Sequence, residues 1–444
     1  MNLVAFSIRT KGANNFARRL WTVFTRFGFS ERRTRRALYS IIETLKQCRA
    51  APTFFIPAVV LRRHPKLIDG IVRAGAEVGV HGYVHNDYRT LSKSEQASHT
   101  QKACSVFEEV RIPYHGFRNP YLGWTEDSLH VFTTCGFQYE SNQAVLHPVI
   151  NKAALSPAQL SGYEKSLALF QATPCTAYAL RPHFEGELLR IPISIPDDEM
   201  LFDRLRITDP REVGRIWSEI MQRVYGQGGL YTLNLHPERG ILCKQALDVL
   251  LATARAFPMP VWIARLEDIA QWWKERSEFT WNIGPLDAGL WRVEATCTQR
   301  AVLLARHLEV DDAGTEAWTT ADTIVRAHRF AVRAPLCPAL GVSPRTPREV
   351  VDFLREQGYP TAICSQEQAE AYSLYIDMPE GLGASRYQRM QRSSELLERL
   401  DQLDAPLLRF ACWPERNRAA LSITGDIDSV TIQDFFRRIL EVRG

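Results

Sequence analysis

Apolar residues fall along the chain in two alternating rhythms. Short apolar runs at 2–8, 52–56, 77–80, 115–117, 189–195, 230–235 and 260–264 suit buried strands. Between them lie stretches with helical spacing, such as Leu38, Ile41, Ile42 and Leu45 within 31–48, and a second stretch over 64–74. This alternation predicts an α/β fold in which helices wrap a parallel sheet closed into a distorted barrel. An aromatic, charged helix over 268–279 ends that unit, and Asn282-Ile-Gly-Pro285 reads as a boundary. A second, smaller α/β unit follows. Its clearest helix covers 347–357, closed by Gly358, with a short strand at 361–364. The tail reads as a strand ending on Asp426 and Asp428, then a helix over 431–442. The expected organisation is a barrel domain over 1–280, a small α/β domain over 285–412 and a strand–helix tail over 413–444.

Composition changes the picture in a few places. With 444 residues the chain exceeds the size of a single core, which agrees with two domains. A balance of 54 basic and 50 acidic residues leaves +4, too little to imply a nucleic-acid partner. Nine cysteines without a CxxC pair, mostly among apolar neighbours, read as free thiols in a reducing compartment. No signal peptide is recognisable in MNLVAFSIRTKG and no uncharged stretch is long enough to span a bilayer, so the expected location is cytoplasmic. Residues 16–36 interleave arginines with aromatic residues; burial of the aromatic stripe on the barrel is the first reading, and peripheral membrane contact the second. Glu77 and Glu108-Glu109 read as solvated, and His64 as a helix start. Arg386, Arg389 and Arg392 read as an exposed helix face that could meet an acidic substrate or another subunit. Nothing in the sequence sets the oligomeric state.

Chemistry concentrates after the strands. His81-Gly-Tyr-Val-His85 sets two imidazoles four apart, able to grip one metal ion if the segment turns helical. Phe117-Arg118-Asn119-Pro120-Tyr121 and Leu233-Asn234-Leu235-His236-Pro237 follow two further strands, at the ends where parallel barrels assemble their sites. In this order the residues resemble the polysaccharide deacetylase (NodB-homology) family. Its H-[ST]-x-x-H motif matches His81 to His85, with Gly82 in place of the hydroxyl residue. Its R-x-P-Y matches Arg118 to Tyr121, and its L-x-x-H-P matches Leu233 to Pro237. Gly136-Phe-Gln-Tyr-Glu-Ser141 is similar to G-[FY]-x-Y-D-S, with Glu140 for Asp. The resemblance spans most of residues 1–275.

It implies a hydrolase that removes an acetyl group from an acetylated sugar or polysaccharide with the help of a divalent metal. His81 and His85 would be metal ligands, Arg118 would orient the catalytic carboxylate, a backbone amide near Tyr121 would serve the oxyanion, and His236 would be the general acid. Zinc suits imidazole and carboxylate ligands best; cobalt, nickel and iron also fit. Hydrolysis of another carbon–nitrogen bond, such as a cyclic amide, and a non-catalytic carbohydrate-binding role stay open.

The family also carries an Asp-Asp pair at the end of its first strand, where this chain has Arg9-Thr10. A guanidinium has no lone pair to offer a cation. The tail segment SITGDID, ending on Asp426 and Asp428, is similar to that strand in its D-x-D form. The expectation is that the tail folds back, in cis or in a partner subunit, with Asp426 as base and Asp428 as third metal ligand, or with the roles exchanged. Three other readings stay open: Asp428 or Ser429 merely caps the following helix, or Asp87, or Asp197-Asp198, supplies the carboxylate.

Overall fold

The computed structural model describes residues 26–441 apart from residue 312, and residue 241 without its side chain. The strand expected at 2–8, Arg9, Thr10 and much of the 16–36 segment lie outside the described residues.

Twelve strands form one curled sheet. In spatial order they are Thr173–Pro174, Ala144–Leu146, Ile193–Ile195, Leu230–Leu235, Ala419–Asp426, Thr53–Ile56, Glu77–Val80, Gly116–Phe117, Tyr139–Glu140, Leu188–Arg190 and His183–Glu185. Val261–Ile263 also pairs with Ala419–Asp426. Every pairing is parallel except that of His183–Glu185 with Leu188–Arg190. The class is α/β, with the sheet curled into part of a barrel. Leu38, Ile41, Ile42 and Leu45 make the buried stripe of the helix Arg32–Lys46.

The apolar run at 189–195 is two strands rather than one. Leu188–Arg190 pairs with Tyr139–Glu140, whereas Ile193–Ile195 pairs with Ala144–Leu146 and Leu230–Leu235. Pro192 stands between them and has no N–H to continue the ladder.

The strand Ala419–Asp426 sits in the middle of the sheet although it comes near the end of the chain. One edge pairs with Leu230–Leu235; the other is shared, first by Val261–Ile263 and then by Thr53–Ile56. All eight of its residues are buried. Covering Leu421 and Ile423 contributes about 1.5–3 kcal/mol each. The helix Ile432–Glu441 then packs near the first described residues. Ile432 N–H donates to Gly28 O (3.0 Å), Phe435 meets Phe27, and Asp434 accepts from His64 Nε2 at 2.7 Å. His64 therefore does more than start a helix: its other ring nitrogen lies 2.9 Å from Glu31 Oε1.

Beyond the barrel, two four-stranded antiparallel sheets join a three-stranded parallel sheet flanked by the helices Arg348–Glu356 and Arg386–Asp401. The helix and strand expected near 347–364 are present as Arg348–Glu356 and Thr361–Ile363. The antiparallel strands escaped the reading because many are short and half exposed, so neither rhythm stands out. Residues 282–285, read as a boundary, lie inside the strand Thr280–Asp287, paired along Leu290–Thr296. This region shares a core with the barrel around Trp272, Trp273, Trp413 and Phe410. Trp413 Nε1 donates to Gly228 O, and the buried Arg276 guanidinium donates to the Gln357, Phe410 and Ala411 carbonyls.

Glu77 is buried rather than solvated. Its carboxylate accepts from Thr53 Oγ1, Tyr139 Oη and Glu267 N, and burial pushes it up to about 7. All nine cysteines are free, and among the described residues no helix is long and apolar enough to cross a membrane.

Candidate active site

Three adjacent strands end at one level. Ile427 N–H donates to Phe55 O (2.8 Å), while His81 N–H donates to Ile56 O (3.0 Å), so the residues after Asp426 and Val80 flank the end of Thr53–Ile56. The loop after Val80 is tied down further, since Ala58 and Val59 donate to the Gly82 and Tyr83 carbonyls. Gly82 has φ +81°, a left-handed conformation that a β-carbon disfavours, which suits glycine at this point of the motif.

The structure brings His81, His85 and Asp428 together. Asp428 Oδ1 lies 3.5 Å from His81 Nε2 and 3.3 Å from His85 Nε2. His81 Nδ1 is 2.8 Å from the Arg118 carbonyl, which can only accept. Nδ1 therefore carries a proton, and Nε2 is the nitrogen that faces Asp428. Asp428 Oδ1 is buried without a hydrogen-bond partner. Its other oxygen accepts from Arg438 Nη1 at 2.6 Å. Burial would raise the Asp428 carboxyl, but the His85 imidazole and the Arg438 guanidinium outweigh it and hold it well below the usual carboxylate range. Burial, with Arg438 and His81 adding to it, lowers His85 despite Asp428, which favours a neutral ring. Two imidazoles and a carboxylate with an unspent oxygen are a donor set that fits a divalent cation.

Asp426 stands next to this group but is held differently. Asn234 Nδ2 donates to its Oδ2 (2.9 Å) and Arg118 Nη1 to its Oδ1 (3.2 Å). Arg118, fully buried, also donates to Asn234 Oδ1, Thr424 Oγ1, Ser141 O and Ser141 Oγ, and lies over the Phe55 ring at 4.3 Å. Gly79 makes room for that ring: a β-carbon there would stand 2.6 Å from it. Tyr121 has φ 58° and ψ 14°, a strained setting for a residue with a β-carbon, and its half-exposed ring meets His85 edge-on at 4.7 Å.

On the facing wall, His236 Nδ1 donates to Asp198 Oδ1 (2.7 Å), and His236 N–H to Asp198 Oδ2 (2.8 Å). Burial works against protonation of His236, but the Asp198 carboxylate outweighs it and raises the ring well above the ordinary imidazole range. Burial and Asp198 push neighbouring Asp197 up to about 7. A cavity of ≈ 190 Å³ is lined by His81, His85, Tyr121, His236, Asp426 and Asp428 together.

Asp87, an alternative carboxylate, turns aside to pair with Arg89, and Asp198 is engaged with His236. Three participants went unread. Arg438 lies ten residues beyond Asp428 on an ordinary amphipathic helix, with no local signal. Asn234 is the lone amide in the buried strand LYTLNL, a signal that was available. Asp198 was weighed as a metal ligand, not as the partner of His236.

Residues 33–140 match the family model described as polysaccharide deacetylase. A peptidoglycan deacetylase-like protein of Gibberella zeae is 30% identical over 92 residues, 20% of this chain and 27% of that protein; the match thus spans about a quarter of the relative. A solved structure from Mycobacterium smegmatis described as a polysaccharide deacetylase is 20% identical, covering 60% of this chain and 82% of its own, with a TM-score of 0.41. One from Pseudomonas aeruginosa PAO1, also described as a polysaccharide deacetylase, is 19% identical over 53% of this chain and 72% of its own, with a TM-score of 0.42. The segment that matches the polysaccharide deacetylase model includes His81, His85, Arg118 and Tyr121.

Proposed function

We propose that the chain is a divalent-metal-dependent hydrolase that removes an acetyl group from an acetylated sugar or polysaccharide. The observation that carries this reading is the unspent Asp428 oxygen facing two imidazole nitrogens, beside a second, separately fixed carboxylate. His81, His85 and Asp428 would hold the ion, zinc by preference for this ligand set. When bound, the ion supplies Lewis acidity toward a carbonyl oxygen and toward water.

The chain's own residues divide the remaining work. Asp426 takes the proton of the attacking water. Arg118 and Asn234 hold and aim that carboxylate, so that it acts as a base rather than a fourth ligand. The strained backbone at Tyr121 offers its N–H to the developing oxyanion, a contribution of about 100-fold or more. His236, kept protonated by Asp198, gives a proton to the departing amine or alcohol. Arg438 holds one oxygen of Asp428 so that the other faces the histidines. The nine free thiols support a reducing compartment, where a precursor or lipid-linked sugar is a more accessible substrate than a finished polymer.

The test is metal analysis of the purified chain together with acetate release from acetylated chitooligosaccharides, before and after chelation. Roughly one divalent ion per chain and chelator-sensitive acetate release are expected. A chain that binds no metal and releases no acetate overturns the proposal.

A further inference from the structure

The cavity that gathers the histidines and carboxylates is small, and its boundary decides what can enter it. At ≈ 190 Å³ it falls below the ~300–1,000 Å³ of pockets that enclose drug-sized ligands. A disaccharide is already a molecule of that size, whereas a single acetylated sugar unit is not. The reacting groups lie deep: the side chains of His81, His85, Asp426, His236 and Asp428 are 2%, 5%, 7%, 13% and 15% exposed.

Strand ends supply only part of the wall. The helix Pro157–Leu169, about 20 Å long at 1.5 Å per residue, bridges the sides that they leave. In its first turn Gln159 Nε2 donates to Leu205 O; at its last residue Leu169 O accepts from Arg89 Nη1 (2.6 Å), four residues beyond His85. Leu169 and Phe170 line the cavity there. The helical turn Glu199–Arg204 adds Glu199 and Arg204 to the lining and is tied to the loop after His236, since Arg239 Nη2 donates to Asp203 Oδ2 (2.6 Å). Arg438 closes the Asp428 side from the last helix, which Arg63 and His64 hold through Asp434. The Tyr121 ring, edge-on to His85, closes the next. These contacts lead round the rim and back to their start, so among the described residues the cavity is a cup rather than a trough.

We propose that the site takes its substrate end-on, as a free acetylated monosaccharide or the terminal acetylated unit of a longer saccharide, and excludes internal units. An internal unit carries a neighbour on either side and needs a trough open at two ends. A terminal unit carries one neighbour, which leaves through the single mouth. The bridging helix is the wall that denies the second exit. The inference rests on the deacetylase reading and narrows its substrate class.

The test is positional. Chitotetraose acetylated on every nitrogen is treated with the full chain and zinc, and the products are sequenced by mass spectrometry after labelling of the reducing end. Acetyl loss from one terminal unit alone is expected, with N-acetylglucosamine itself turned over at a kcat/KM within about tenfold of the tetramer's. Acetyl loss from internal units, or a larger gap between monosaccharide and tetramer, overturns the end-on inference while the deacetylase reading stands. No acetate from any of these saccharides overturns both. Leu169→Ala and Phe170→Ala lower the bridging wall and are expected to move part of the acetyl loss onto internal units; a pattern unchanged in both variants overturns the part given to that wall. Should Phe170→Ala fail to fold, Leu169→Ala and the parent's own product map decide.

Discussion

Two clusters of histidine and carboxylate stand at the same cavity, the second lining it through Asp197 and His236, and each brings its ligand atoms within 4.8 Å of one another. In one, His81, His85 and Asp428, the groups face each other without aligned hydrogen bonds, and their outer atoms are held by Arg118 O and Arg438. In the other, Asp197, Asp198 and His236, the imidazole is already hydrogen-bonded to Asp198 twice over, through ring and backbone. Residue types alone do not separate a cation site from a proton donor. What separates them is where the lone pairs point and what already occupies them. In the first cluster the protein fixes the far sides of His81 and Asp428 and leaves the near sides bare; in the second it satisfies the near sides and so fixes a proton.

Substitutions break that contrast in graded ways. His81→Ala or Asp428→Ala is expected to abolish stoichiometric metal binding and acetate release together, read by metal analysis and an acetate assay. Next, Asp426→Asn and His236→Ala should each lower acetate release about 100- to 10,000-fold while the metal content stays at the parent level. Loss of metal in His236→Ala would erase the distinction between the clusters. Arg438→Gln should weaken metal affinity about 10- to 100-fold, measured by competition with a chelating dye, with partial rescue by Arg438→Lys.

A pH profile sharpens the same contrast. His236 is raised in the folded chain, so its proton, and the stability linked to it, is retained below the unfolded imidazole value of about 6.5. Both are lost as pH rises through the folded value. Asp198→Asn lowers that value, so the alkaline limb of kcat should move to lower pH without a change in metal content. The smallest effect concerns docking of the last helix. Asp434→Asn removes acceptors for His64 and Thr431 and should lower stability by about 1–3 kcal/mol, read by denaturant unfolding. Asp434 is held down at about 2 by His64 and Thr431 against the effect of burial. The stabilisation it gives is therefore present above the unfolded carboxylate range and fades as pH falls toward 2.

Much of the barrel was legible because its strands are buried on both faces and its helices carry one apolar stripe, which are the two periodicities a sequence displays. The His81, Arg118 and His236 loops were legible because each follows such a strand. The antiparallel region was not, since half-exposed short strands such as Glu309–Asp311 and Thr315–Ala317 leave too few residues for alternation to register. Arg438 and Asp198 were missed for another reason. Their roles depend on which side chain faces them across space, and an arginine on a helix or the second aspartate after a proline is unremarkable until the fold is closed.

The central position of Ala419–Asp426 bears on how the molecule is made. Thr53–Ile56 and Leu230–Leu235 have no common neighbour among the described residues until Ala419–Asp426 leaves the ribosome, so a nascent chain carries two facing sheet edges through the synthesis of everything between. Such long-range closure slows folding and exposes strands that other chains could pair with. Truncation just before Arg418 would leave that gap permanently open. A chain cut there should be retained by chaperones or precipitate, however intact its first four hundred residues look.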